Sequence, residues 1–102
     1  MSSTMKEAGY LLRVVEPEKH FWVNSGPVVG NLEGLEKALN KMNTKTFAHH
    51  CNKSKNDFAV WINDVIGDAE LAQSIAKVIG KPTLTNMVAG RIAALKKSAK
   101  KK

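Results

Sequence analysis

Asn56-Asp57-Phe58-Ala59-Val60-Trp61-Ile62-Asn63-Asp64-Val65-Ile66-Gly67-Asp68-Ala69-Glu70-Leu71-Ala72 holds two helix signals back to back. Phe58, Trp61, Ile62 and Val65 recur at three- and four-residue spacing, so they share one side of a helix. Asn56 or Ser54 stands where an N-cap is needed, and Asp57 falls in the first turn, where the macrodipole favours negative charge. Gly67 ends this helix. Asp68 caps the next, whose apolar face is Leu71, Ala72, Ile75, Ala76 and Ile79, before Gly80-Lys81-Pro82 stops it. Two capped amphipathic helices separated by one glycine imply a helical domain.

The same period extends both ways. Upstream, Leu32, Leu35, Leu39 and Met42 follow Asn31, a good N-cap. Thr44 then caps a short helix presenting Phe47, His50 and Cys51 on neighbouring faces, and Asn52-Lys53-Ser54-Lys55 breaks the pattern. Downstream, a helix starting near Thr83 or Thr85 buries Leu84, Val88, Ile92 and Leu95, and its Gly90 weakens it by about 1 kcal/mol relative to alanine. Beyond Leu95 the reading finds nothing left to bury. Near the start, Tyr10-Leu11-Leu12-Arg13-Val14-Val15 and His20-Phe21-Trp22-Val23 are β-prone runs separated by Glu16-Pro17-Glu18-Lys19, which predicts a small hairpin. Asn24-Ser25-Gly26-Pro27 is a second turn signal.

The expected architecture is therefore mainly α: a compact bundle of four to five short helices, a small N-terminal β-hairpin and a disordered basic tail. Its expected divisions are a disordered start over residues 1–9, a single helical domain over 10–95 and a lysine-rich tail over 96–102. At 102 residues, 43% hydrophobic and 25% charged, the chain can bury one core without metal or disulfide support. Cys51 is the only cysteine, which excludes an intramolecular disulfide and fits a reducing compartment. The chain has no apolar run of about 18 residues to span a bilayer, and no signal-peptide pattern, so the expected location is the cytoplasm.

Phe21-Trp22-Val23-Asn24-Ser25-Gly26-Pro27, then Asn31-Leu32, Phe47-Ala48-His49-His50, Asn56-Asp57-Phe58-Ala59-Val60-Trp61-Ile62 and Gly67-Asp68-Ala69-Glu70-Leu71-Ala72 occur in a characteristic order. The run, over roughly residues 20–79, resembles a small, largely archaeal family of uncharacterised domains. The resemblance implies a mainly helical fold and a prokaryotic, archaeal source. It implies no activity, so it assigns no functional residue.

The most tempting chemistry is His49-His50-Cys51 with His20 upstream, because imidazole and thiolate bind zinc. Adjacent helical residues point about 100° apart, so all three cannot face one ion from a regular helix. A Cys51 nucleophile activated by a histidine is the enzyme reading, and a packed small side chain explains Cys51 with less. No phosphate-cradling glycine motif occurs. Neither a catalytic residue, a metal nor a cofactor is expected. Phe47, Phe58 and Trp61 are needed for the core before any stacking role, whereas Trp22, beside a turn, is less committed to it.

Charge is the strongest functional signal. Sixteen basic against nine acidic residues give +7, yet residues 1–90 hold ten basic and all nine acidic side chains. Arg91, Lys96, Lys97, Lys100, Lys101 and Lys102 carry the rest and are the candidate nucleic-acid contacts. The expected function is a nucleoid- or chromatin-type architectural protein that binds DNA without sequence preference, through phosphates, and self-associates for avidity. RNA is the nearest variant. The alternative is a protein-interaction or regulatory module with an incidental tail; a membrane surface is disfavoured because the last helix lacks bulky aromatics.

Overall fold

The computed structural model describes residues 5–24 and 26–100. It is mainly α, with six α-helices and one two-stranded hairpin among the described residues. In chain order these are α1 (Met5–Leu11), a 3₁₀ turn (Pro17–Lys19), β1 (Phe21–Trp22), β2 (Val28–Val29), α2 (Leu32–Lys41) and α3 (Thr44–His50). Then follow α4 (Asp57–Trp61), which runs on into a π-helical turn (Ile62–Ile66), α5 (Ala69–Ile75) and α6 (Lys81–Lys100).

Four helices start on a side-chain oxygen that takes the backbone N–H three residues on. Asn31 accepts from Gly34, Asn43 from Thr46, Asn56 from Ala59 and Asp68 from Leu71. The cap of α3 is thus Asn43, one residue before the expected Thr44. The predicted apolar stripes are buried, except that Val65 is half-buried and that α5 ends at Ile75, leaving Ala76 and Ile79 beyond it and exposed. The Gly80-Lys81-Pro82 stretch expected to stop that helix instead opens α6 at Lys81, ahead of the expected Thr83 or Thr85.

The hairpin is displaced from its expected place. Its antiparallel pairs are Phe21 with Val29 and Trp22 with Val28, so the turn is the 24–27 stretch. The run expected to form the first strand ends α1 instead. Ala8 and Leu11, three residues apart, are both buried, and that helical spacing prevails over the β-prone content of Tyr10 to Val15. From that run Val15 bonds the end of the ribbon, donating its N–H to Gly30 O at 2.8 Å.

Both chain ends depart from expectation for one reason. Residues 5–9, expected to be disordered, are helical because α1 packs against α6. The tail expected from residue 96 is helical through Lys100, because Ala99, four residues beyond Leu95, continues the buried stripe and packs on the core. Residues 1–4, Lys101 and Lys102 lie outside the described residues.

Helix α6 is the spine, contacting α1, α2 and α5 through Leu84, Val88, Ile92 and Leu95. The π-helical turn before α5 closes on Ile62 O, which accepts from Gly67 N at 2.8 Å and Asp68 N at 3.1 Å. Gly67 adopts φ +91°, a left-handed cap that needs glycine. The carbonyls of Val65 and Ile66 are taken by the Arg13 guanidinium at 3.0 and 2.9 Å, and that group also lies 3.8 Å from the Tyr10 ring centroid.

Candidate nucleic-acid interface

The chemically suggestive residues are held by the fold. His50 is buried at the end of α3, where Nε2 accepts the Asn24 N–H at 2.9 Å. Nδ1 therefore carries the proton and donates to Asp57 Oδ2 at 3.0 Å, an oxygen that also receives Lys55 Nζ at 3.2 Å. Both ring nitrogens are used, so His50 has none left to act as a base on a substrate. The ring sits among Phe21, 5.0 Å away by centroid, and Phe58, at 5.6 Å, while Phe58 also stacks on Phe47 at 5.5 Å. Residues from three of the sequence motifs quoted above thus converge on one aromatic cluster between the hairpin, α3 and α4.

Cys51 is buried, and its thiol donates to Val78 O at 3.1 Å. Burial, and then the Asp57 charge, push that thiol above its ordinary 9.0, which disfavours the thiolate a nucleophile or metal ligand needs. His20 Nε2 donates to Val15 O at 3.0 Å, away from His50, and His49 is exposed. Among the described residues no group of three or more His, Cys, Asp or Glu side chains is placed to hold a metal ion.

The basic candidates divide into two sets. Arg91 points inward: Nε reaches Asp68 Oδ2 at 2.8 Å, Nη2 reaches Oδ1 at 3.1 Å, and Nη1 reaches Glu70 at 3.4 Å. The Asp68 side chain is 0% exposed and that of Arg91 15%. The hydrogen bond to Asp68 raises the guanidinium further above its ordinary value, against the opposing effect of burial. Arg91 is therefore a clasp between α5 and α6, and the expectation that it faces phosphate is corrected.

The lysines form the other set. Lys96 and Lys97 are exposed in the last turns of α6, and Lys100 is its final residue. Lys96 Nζ lies 2.6 Å from Glu33 Oε2 in an exposed pair. Lys96 and Lys97 stand about 100° apart around the helix, both toward solvent. Helix α6 contains no acidic residue, and cations at its C-terminal end complement the macrodipole.

One exposed feature was only half-legible in the sequence. Trp22 is 73% exposed and its cross-strand partner Val28 is 44% exposed, on the outer side of the hairpin. The signal was alternation: Phe21 and Val23 point inward, so Trp22 points out. Comparison with models of known protein families, with curated proteins and with solved structures yields no match to this chain.

Proposed function

We propose that this chain binds nucleic acid, DNA in preference to RNA, through phosphate contacts from the lysine-rich end of α6, with little sequence preference. The observation that carries the reading is the charge split: five lysines over residues 96–102 against near-neutrality elsewhere, the first three of them on the last turns of α6, which packs on α1, α2 and α5. Lysine at phosphate releases condensed counterions and reads charge rather than base edges. Arg91 takes no part, and Glu33 offsets Lys96, so four to five contacts are available. In a cell such binding means association with the nucleoid, strengthened if the chain self-associates.

The test is a salt titration of duplex DNA binding. Four to five contacts give a slope of log K against log salt near −3.6 to −4.5, shared by unrelated sequences. Neutralising Lys97, Lys100, Lys101 and Lys102 to glutamine, which keeps Ala99 and the helix, should remove most of the affinity. Equal binding by that variant at matched salt would overturn the reading. One observation favours the protein-interaction alternative, a shallow cavity of about 270 Å³ between α4 and α5 lined by Ala59, Val60, Ala72 and Ala76. It takes first place if neither duplex DNA nor RNA binds at low salt.

A further inference from the structure

We infer that the outer face of the hairpin is a second contact surface, where Trp22 stacks on an unpaired nucleobase, so that single-stranded nucleic acid is the preferred ligand. This rests on the lysine reading above and names its substrate class.

The face follows from register. Phe21 and Val29 pair with their side chains buried, and Trp22 and Val28, one step on, pair with theirs outward. On the same two-residue period His20 and Gly30 belong to the outer face. Their contact is close: a Cβ on Gly30 would stand 2.9 Å from His20 Nε2 and 3.2 Å from Val14 Cγ1. Val14 is itself 66% exposed and meets Gly30 beside the half-buried His20, while Trp22 and Val28 are exposed on the same side of the ribbon.

The two tryptophans differ in commitment. Trp61 is buried, donates Nε1–H to Lys19 O at 2.8 Å and packs edge-on against Phe21 at 5.8 Å. Trp22 has no hydrogen bond or ring contact among the described residues. An indole held on a β-ribbon with its face to water is a stacking platform, and every base offers it a π-face.

Placement selects the occupant. From Gly30 the chain passes through the Asn31 cap to Glu33, whose carboxylate holds Lys96. Because Glu33 lies in the first turn of α2, and both β2 and α6 pack on α2, the lysine-bearing end of α6 lies at the end of α2 that joins the hairpin. Of the nearest charges along the chain, Arg13 is turned to the carbonyls of Val65 and Ile66, and Glu16, Glu18 and Lys19 at the 3₁₀ turn give the face no positive field of its own. A strand lying here has its phosphates drawn toward α6 and its bases left over Trp22. A duplex, whose bases are already stacked, engages only the lysines.

The experiment compares an oligo-dT strand and a duplex at one salt concentration, using the full chain. Trp22→Ala, at an exposed position, should keep the helical circular dichroism and weaken oligo-dT binding by roughly 5- to 150-fold, the range for losing one base stack. Duplex affinity and salt slope should stay as in the wild type, and Trp22→Phe should restore most of the single-strand affinity. Unchanged oligo-dT binding by a folded Trp22→Ala protein overturns the inference while leaving the lysine reading intact. If that variant instead loses self-association in sedimentation, with oligo-dT binding unchanged, the face is an interface between copies. Absence of binding to either ligand by the wild type overturns both.

Discussion

Arg91 and Lys96 stand on one helix, a turn and a half apart, and meet acids in different surroundings. The Arg91–Asp68 pair is bidentate, with side chains 15% and 0% exposed, whereas those of Lys96 and Glu33 are 47% and 41% exposed. Water screens the outer pair to about 0–1 kcal/mol, while the inner carboxylate depends on its partner for solvation. Charge on α6 therefore divides by depth. Arg91 fixes the helix, and Lys96 and Lys97 beyond it stand in water.

The largest test of that division is Arg91→Ala, which leaves the Asp68 carboxylate buried and unpaired. It should cost about 3–5 kcal/mol in urea unfolding. A loss under 1 kcal/mol would mean that Asp68 reaches water and that the two pairs are alike. Two glycines provide an intermediate effect of opposite sign. Gly67 at φ +91° cannot take a side chain without strain, so Gly67→Ala should lower stability by about 1–2 kcal/mol. Gly90, next to Arg91, is exposed and a Cβ there meets nothing within 4 Å, so Gly90→Ala should raise stability by about 1 kcal/mol and stiffen the helix joining clasp to lysines. The smallest effect on stability belongs to Lys96→Ala. It should shift the unfolding midpoint by less than about 1 kcal/mol yet flatten the salt slope for duplex DNA by about 0.9. A flat response there would place Lys96 outside the interface.

Legibility in the sequence followed the same line between local and distant causes. Helices α2, α4 and α5 were readable because a cap and an apolar period coincide within each segment, although the glycine-proline signal read as the end of α5 is the start of α6. Helix α1 was not, since seven residues including Gly9 and Tyr10 have no helical stability alone and form only against α6. Two-residue strands are too short for any alternation to register, so the β-prone run at 10–15 drew the hairpin to the wrong partner. Arg91 read as one more basic residue near the tail because Asp68, already explained as a cap, has a second oxygen to offer. The partners of His50, Asn24 and Asp57, likewise come from separate segments. At the lysines composition alone was informative: it marked the charge cluster but not the helix that carries Lys96, Lys97 and Lys100.

The docking of α1 on α6 has a consequence for how the molecule opens. It joins the two ends of the chain, so its contacts close a loop of nearly the full length and are gained after the local helices have formed. A seven-residue helix that exists only while docked behaves as its own unit of opening. Its amides should exchange with solvent by detachment, at a free energy below that of global unfolding, and each detachment bares the Ala8 and Leu11 side of the α6 stripe.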